Sequence, residues 1–576
     1  MAWLAANAIL IGAAITVLPV AAGEFWAYTL ALYFLYAVAG LGVGLSWGQA
    51  GLLSLGQGFF IGIGAYLSGL FLIGFSGSVL VFPLLVLSAV VPGVLAYVLG
   101  RMIFRGRTRN PAFFALITLA LVLLASQVAT SWNEVTGGYN GLRGIPGIPG
   151  MDDFEDAYTL SAVALLVSML LAGWLIASPA GVLWRALAQR ERRLDYLGFD
   201  HNHLKSVVFG VSGLLGGVAG ALYAPENNLV TPDLFGFMLS ANLVVWVAIG
   251  GRGTLYGPVL GVVALGLLTA TLRDRVIYWE AVLAALFIVT ILYFRPGICG
   301  RLEPALKRRF DRRKRAPRPA PERRLPPTDG SLAVDKLDLR AGSVEILREL
   351  EFRIDRPGIY CLIGPNGAGK TTTFDAITGE LDSQSGTVHV LGRRRRRHEP
   401  RALTRRGLGR KFQIPDVFDE LTVGENTAVA LWTGRARRRD LLRLSLLDWT
   451  SPVLEELERR FPFLSERDRR VANLSHGERQ VLDLAMVLCT ESRLILLDEP
   501  CAGLSLAETE QVIETIRWAT GQFGATTLVI EHDMALVQTL ADRVFVLHNG
   551  RLLAEGTVEE IRGNAEVRTV YAGVAE

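Results

Sequence analysis

The stretch Tyr360-Cys-Leu-Ile-Gly-Pro-Asn-Gly-Ala-Gly-Lys-Thr-Thr372 decides how the second half of this chain is read. The apolar run Tyr360 to Ile363 reads as a buried strand, and the residues from Thr371 onward read as a helix. Between them lies a complete G-x4-G-K-T phosphate loop, Gly364 to Thr371, in the strand–loop–helix context that the motif requires. Gly364, Gly367 and Gly369 let backbone N–H groups curl around phosphate oxygens, with Asn366 and Thr372 in the same cradle. The helix N-terminus adds positive potential. Lys370 is expected to reach the β- and γ-phosphates, and Thr371 to ligate Mg²⁺.

Two later segments supply hydrolytic chemistry. Leu494-Ile-Leu-Leu-Asp-Glu499 is an apolar strand ending in two carboxylates. Asp498 suits Mg²⁺, directly or through water, and Glu499 suits polarising an attacking water. His532 follows a second apolar strand, Thr527 to Ile530, and is placed to hydrogen-bond a γ-phosphate and orient the water. A lone histidine is more often a surface residue; the company of the other motifs reverses that reading.

Upstream the chain changes character. It has 576 residues, is 51% hydrophobic and carries a net charge of +4, and these averages conceal a division. Residues 1–295 hold few charges, whereas 296–576 are dense in Arg, Glu and Asp. A membrane bundle joined to a cytosolic domain explains that asymmetry; a single globular core does not. A bilayer core of about 30 Å needs roughly 20 apolar residues in a helix. Candidate spans are 3–21, 27–46, 58–74, 79–99, 112–131, 159–177, 207–224, 237–250, 255–272 and 279–294, so eight to ten are expected. The first reads as a retained helix, because a basic region before it is lacking and further spans follow.

Charge sets the orientation. Arg101, Arg105, Arg107 and Arg109 share one loop, and Arg185, Arg190, Arg192, Arg193 and Lys205 another. The acidic segment 132–158 lies between them, which places the basic loops and the phosphate-loop domain inside. The Arg273-Asp-Arg275 loop then falls outside, against the rule. Gly48, Gly51, Gly56, Gly58, Gly62 and Gly64 read as close helix packing. Gln49, Gln57, Gln127 and Asn242 are weaker candidates for a lined pathway. The charged segment 184–198, stopped by Gly198, reads as a cytosolic helix that docks on an ATPase.

Residues 296–330 form an Arg/Pro-rich linker, expected to be extended or disordered and to meet anionic lipid. Neither this run nor Arg393 to Arg397 has interleaved aromatics, so nucleic-acid binding is not expected. Cys299, Cys361, Cys489 and Cys501 form no C-x-x-C pair and read as reduced and structural. The expected domains are thus a permease-like bundle, 1–295, a linker, 296–330, and an ATP-binding domain, 331–576.

Leu474-Ser-His-Gly-Glu478 resembles the ABC-transporter signature L-S-G-G-Q, departing from it at His476 and Glu478. Gln413, in Gly409-Arg-Lys-Phe-Gln413, is similar to that family's Q-loop, which senses nucleotide and can also touch Mg²⁺. The resemblance implies an α/β P-loop ABC ATPase fused to a polytopic helical membrane domain. It also implies that Ser475 and Gly477 face ATP held by an opposing ATPase domain. Two departures stand out: Arg340 to Glu345 lacks the aromatic expected to stack on adenine, and Cys501-Ala-Gly-Leu-Ser505 lacks the D-loop aspartate.

Thr136 to Leu142, Gly56 to Tyr66 and Ala219 to Tyr223 resemble permeases of branched-chain amino-acid and urea importers. Trp246 to Leu255, Gly409 to Phe418 and Leu421 to Asn426 lean to the urea type. The resemblance implies an ATP-hydrolysing importer subunit of the bacterial inner membrane with ATP and Mg²⁺ as ligands. Its implied partners are a second permease, a second ATPase, a periplasmic solute-binding protein and a small polar solute. An ABC exporter half-transporter, with six long spans and cytosolic extensions, and a nucleotide-gated channel or sensor are the competing readings.

Overall fold

A computed structural model describes residues 24–105, 111–151, 154–273, 275, 277–293, 297–300, 317–326, 330–396 and 400–572. The expected span 3–21 and the basic run Lys307 to Arg315 lie outside them. The chain forms two compact units. One contains residues 1–188 and 202–314; the other contains 189–201 and 315–576.

The first unit is helical. Six helices are long and apolar enough to cross a membrane: Trp26–Gln49, Gln57–Gly74, Val81–Ile103, Ala112–Ser131, Glu155–Ala177 and His201–Asn227. Three shorter apolar helices follow, Phe237–Gly250, Tyr256–Arg273 and Trp279–Tyr293. Each falls on an expected span from 27–46 onward; only the last three are short of a full crossing. Val86, Val94, Leu116 and Leu124 project from the third and fourth long helices as exposed apolar side chains, a surface suited to lipid.

Glycines set the close approaches. A Cβ on Gly220 would lie 2.0 Å from the Ile61 carbonyl oxygen, and one on Gly64 2.5 Å from that of Gly217. The backbones of Gln57–Gly74 and His201–Asn227 therefore meet through small residues, as membrane helices do where lipid supplies no hydrophobic drive. Gln57 is fully buried at this packing. Its Nε2 donates to the carbonyls of Ala39 and Ser212 at 3.2 Å each, and its Oε1 accepts from Ser212 Oγ at 3.1 Å. Gln49 Nε2 likewise donates to the Gly253 carbonyl at 3.0 Å. These amides tie helices together, which matches the packing reading of this glycine-rich region.

The second unit is built on a six-stranded sheet in the order 551–556, 543–548, 358–363, 526–530, 494–498 and 408–411. All neighbours run parallel except the edge strand Arg551–Gly556. The interior strands read as continuous apolar runs because both faces of the sheet are buried, as in parallel sheets generally. A four-stranded antiparallel sheet, ordered 344–354, 332–341, 385–390 and 393–394, shares the core through Leu347, Phe352, Leu362, Phe374, Leu528 and Phe545.

Part of the linker is structured. Arg318–Pro319 pairs in parallel with Trp449–Thr450, and Ala320 N donates to the Thr450 carbonyl at 2.8 Å. Arg323 is held by the carbonyls of Thr490 and Thr404 and by Ser492 Oγ at 3.4 Å. The expectation of an extended stretch holds here; the expectation of disorder does not, because backbone pairing and a sequestered guanidinium fix these residues to the second unit.

Candidate active site

Register aligns the carboxyl ends of three neighbouring strands: Asp498 lies opposite Ile530, and Ile530 opposite Leu362. The phosphate loop, the Asp498–Glu499 pair and Glu531–His532 therefore leave the sheet at one edge, the usual place for a ligand in an open α/β sheet. Gly364, Gly367 and Gly369 have φ of 153°, 82° and 100°. A Cβ on Gly364 would lie 2.2 Å from the Leu547 carbonyl oxygen, so both its torsion and its space demand glycine. Asn366, Gly367 and Thr371 are exposed on the loop and Thr372 is half-buried.

Lys370 Nζ donates to the carbonyls of Gly364 at 2.8 Å and Pro365 at 3.1 Å. Burial lowers its pKa, opposed by the nearby charges of Glu499 and Asp498. Asp498 is buried and its pKa is raised chiefly by desolvation, opposed by Arg410 and by a hydrogen bond from Thr371. Asp498 Oδ1 receives no hydrogen bond among the described residues. A carboxylate with a free buried oxygen beside a hydroxyl is a donor pair that fits Mg²⁺, which takes one or two protein oxygens and completes its shell with phosphate and water. Among the described residues no group of three or more His, Cys, Asp or Glu is placed to hold a metal by itself.

Glu499 sits at φ 44°, a left-handed torsion uncommon for a residue with a Cβ, and its N–H donates to the Ile530 carbonyl at 3.0 Å. Its carboxylate accepts from Gln413 Nε2 at 3.1 Å and lies 3.7 Å from His532 Nδ1. Gln413 also accepts, through its carbonyl, a hydrogen bond from Gln480 Nε2 at 3.3 Å. Lys370, Thr371, Asp498, Glu499, Gln413 and His532 are thus brought together. Ser475 and Gly477 make their contacts elsewhere. Ser475 caps the helix His476–Leu488 in a reciprocal pair with Glu478, its Oγ accepting from Glu478 N at 3.1 Å and its N–H donating to Glu478 Oε2 at 2.8 Å. Arg469 binds the same carboxylate at 2.8 and 2.9 Å, which accounts for Glu where the signature usually has Gln. A Cβ on Gly477 would lie 3.2 Å from Leu504 Cδ2.

The strand Val344–Ile354 adjoins the loop, since a Cβ on Gly369 would meet Leu347 Cδ2 at 2.8 Å. At its start an Arg340–Glu345 ion pair at 2.8 Å bridges to the preceding strand, and Val344 is exposed.

Several participants escaped the sequence reading. Strand Leu408–Lys411 is entirely buried although it ends in Arg410 and Lys411. Arg410 binds Asp375 at 2.6 Å and Thr378 at 2.9 Å, with its guanidinium 4.6 Å from the Phe412 ring. The segment 184–198, by contrast, is expected to dock on an ATPase, and its residues from Gln189 onward do belong to the ATPase unit, where Arg193 meets Asp483 at 2.5 Å with both side chains fully buried. Arg193 Nη1 donates to the Arg410 carbonyl at 3.0 Å, and Tyr196 Oη donates to Thr378 Oγ1 at 3.0 Å. Glu531, buried beside His532, has a pKa pushed up to about 7 by desolvation. For Arg410, Lys411 and Glu531 the one signal that could have found them is charge placed in or directly after a run of strand residues.

Residues 347–502 match the family described as "ABC transporter", and residues 25–292 match "Branched-chain amino acid transport system / permease component". The second unit is similar to the high-affinity branched-chain amino acid transport ATP-binding protein LivG of Salmonella typhimurium, 35% identical over 42% of this chain and 98% of that protein.

The chain belongs to the ABC transporter family.

In it a permease domain of the branched-chain amino-acid transport type is fused to an ATPase that hydrolyses ATP to drive transport. BraF of Pseudomonas aeruginosa, also named as a branched-chain amino acid transport ATP-binding protein, is 32% identical over 42% of this chain and 98% of its own length. A solved ATP-binding subunit of an ABC transporter is 27% identical, covering 42% of this chain and 99% of that one with a TM-score of 0.37. This transporter subunit is a multi-pass membrane protein that binds ATP.

Proposed function

We propose that this fused subunit drives import of branched-chain amino acids across a bacterial inner membrane. The observation that carries the reading is the convergence of Lys370, Asp498, Glu499, Gln413 and His532 at one sheet edge, in a chain whose other half holds six membrane-length helices. The similarity to LivG and BraF supports the solute class, and the urea-like stretch Gly409 to Phe418 keeps urea as the second candidate. The three further apolar helices exceed the six expected of an exporter half-transporter, which favours an importer.

The glycines, Asn366 and Thr372 cradle the phosphates while Lys370 neutralises the β- and γ-oxygens. Asp498 and the Thr371 hydroxyl would hold Mg²⁺, with Gln413 beside them, and the bound ion would screen charge on the phosphoryl oxygens. Glu499, aimed by its backbone torsion, orients the attacking water, and His532 donates toward the γ-phosphate. Ser475 and Gly477 present their helix N-terminus to the nucleotide of a second ATPase domain. The subunit works with that second ATPase, a second permease and a periplasmic binding protein, with its basic linker against anionic lipid. Labelled leucine and urea, each supplied with its binding protein to proteoliposomes containing the complete complex, test this. ATP-dependent leucine accumulation that disappears with Glu499→Gln is expected; uptake unaltered by that substitution, or outward movement only, overturns the reading.

A further inference from the structure

The linker and the ATPase enclose a cavity of about 590 Å³ that has no part in the phosphate-loop chemistry. Its volume lies within the range of small-ligand sites. One wall is the linker at Glu322 and Arg324; the other runs from Gly434 to Trp449. Both walls are fixed: the linker by its pairing with Trp449–Thr450 and by Arg323, whose Nε would meet a Cβ on Gly434 at 2.9 Å.

The lining is strongly basic, with five arginines, at 324, 435, 437, 439 and 443, against the carboxylates of Glu322 and Asp440. Two of the five are engaged. Arg435 pairs with Glu491 at 2.6 Å, and Arg443 lies 3.5 Å from Asp440. Arg324, Arg437 and Arg439 are exposed, and among the described contacts none of them pairs with a carboxylate. Like charges gathered around a concavity repel one another, and a bound anion relieves that repulsion. Guanidinium groups match phosphate through two parallel hydrogen bonds, and the Trp449 indole on the same wall offers an apolar face beside them.

We propose that this cavity binds a phosphate-bearing anion, either a soluble phosphate compound or the headgroup of an acidic phospholipid. Because the linker forms one wall, occupancy clamps linker to ATPase and gives the transporter a second anion site distinct from the one that hydrolyses ATP.

The test uses the full chain in neutral nanodiscs with Lys370→Ala silencing the phosphate loop, and pyrophosphate as probe, followed by calorimetry. One saturable site is expected, weakened at least tenfold by the combined substitution Arg324→Ser, Arg437→Ser and Arg439→Ser, with Arg→Lys at the same positions retaining part of the affinity. Unchanged thermal melting of the serine variant excludes unfolding. Repeating the titration in phosphatidate nanodiscs separates the sources. Pyrophosphate binding that is lost there points to the lipid headgroup, and binding that persists points to a soluble ligand. Absence of saturable binding in neutral nanodiscs, or binding that the serine variant leaves intact, overturns the proposal.

Discussion

Replacing Arg193 by alanine tests how firmly residues 189–201 belong to the ATPase unit. Arg193 and Asp483 are both fully buried and 2.5 Å apart. Removing one member of a buried pair leaves the other charge without its partner, at a cost of about 3–5 kcal/mol. Lys411, whose charge also acts on Asp483, remains as a partial partner, so the lower end, about 3 kcal/mol, applies. At about 1.4 kcal/mol per factor of ten, local opening of this segment becomes roughly a hundredfold more frequent. Hydrogen exchange of the amides from Arg193 to Gly198 reads this directly: their protection factors should fall by that factor while those of strand Leu494–Asp498 hold. Pairing Arg193→Met with Asp483→Leu removes both charges at similar volume and should restore most of the protection. Transport per ATP hydrolysed should fall in the single variant. Protection unchanged in Arg193→Ala, or a double variant no better than the single one, would refute the reasoning.

Other outcomes follow from the same geometry. Glu531 has its carboxyl raised to about 7 in the fold, against about 4.3 in an unfolded chain. The folded state therefore binds the proton more tightly, and stability from this group is full below about pH 4 and lost as pH rises through about 7. Glu531→Gln should flatten the stability profile between about pH 4.5 and 7 and gain up to about 3 kcal/mol at pH 8, read by denaturant melts at each pH. Ala341→Tyr, which places an aromatic where the family carries its adenine platform, should lower the KM for ATP about tenfold, at the lower end of base-stacking energies of about 1–3 kcal/mol; no change would mean that the base lies elsewhere. Arg469→Ala should loosen the cap on helix His476–Leu488 and lower activity, and Glu478→Gln in that background should recover it, as steady-state ATPase assays would show.

Sequence legibility varied with the physics involved. The phosphate loop could be read because its glycines serve local torsions, and the strands at 494–498 and 526–530 because apolar runs ending in chemistry are short-range patterns. The spans were legible through length and hydropathy alone. What escaped reading was long-range: Arg410 and Lys411 look like surface charge until Asp375, Asp483 and the aromatic Phe412 close around them. Arg323 likewise reads as one more basic residue in a polar linker, since its carbonyl partners at Thr404 and Thr490 carry no side-chain signature. Glu478 read as a departure from the signature until Arg469 and the Ser475 cap supplied its reason.

The pairing of Arg193 with Asp483 also has a timetable. The two are 290 residues apart in the chain. At a synthesis rate of about 5–20 residues per second, Arg193 leaves the ribosome about 15–60 s before the helix that neutralises it exists. Throughout that interval the Arg193 guanidinium lacks Asp483 and has only water to solvate its charge while the later helices are made. The buried pair can therefore close only after residue 483 has been made, and a ribosome that stalls before it releases a chain whose charged loop is still open to chaperones and proteases.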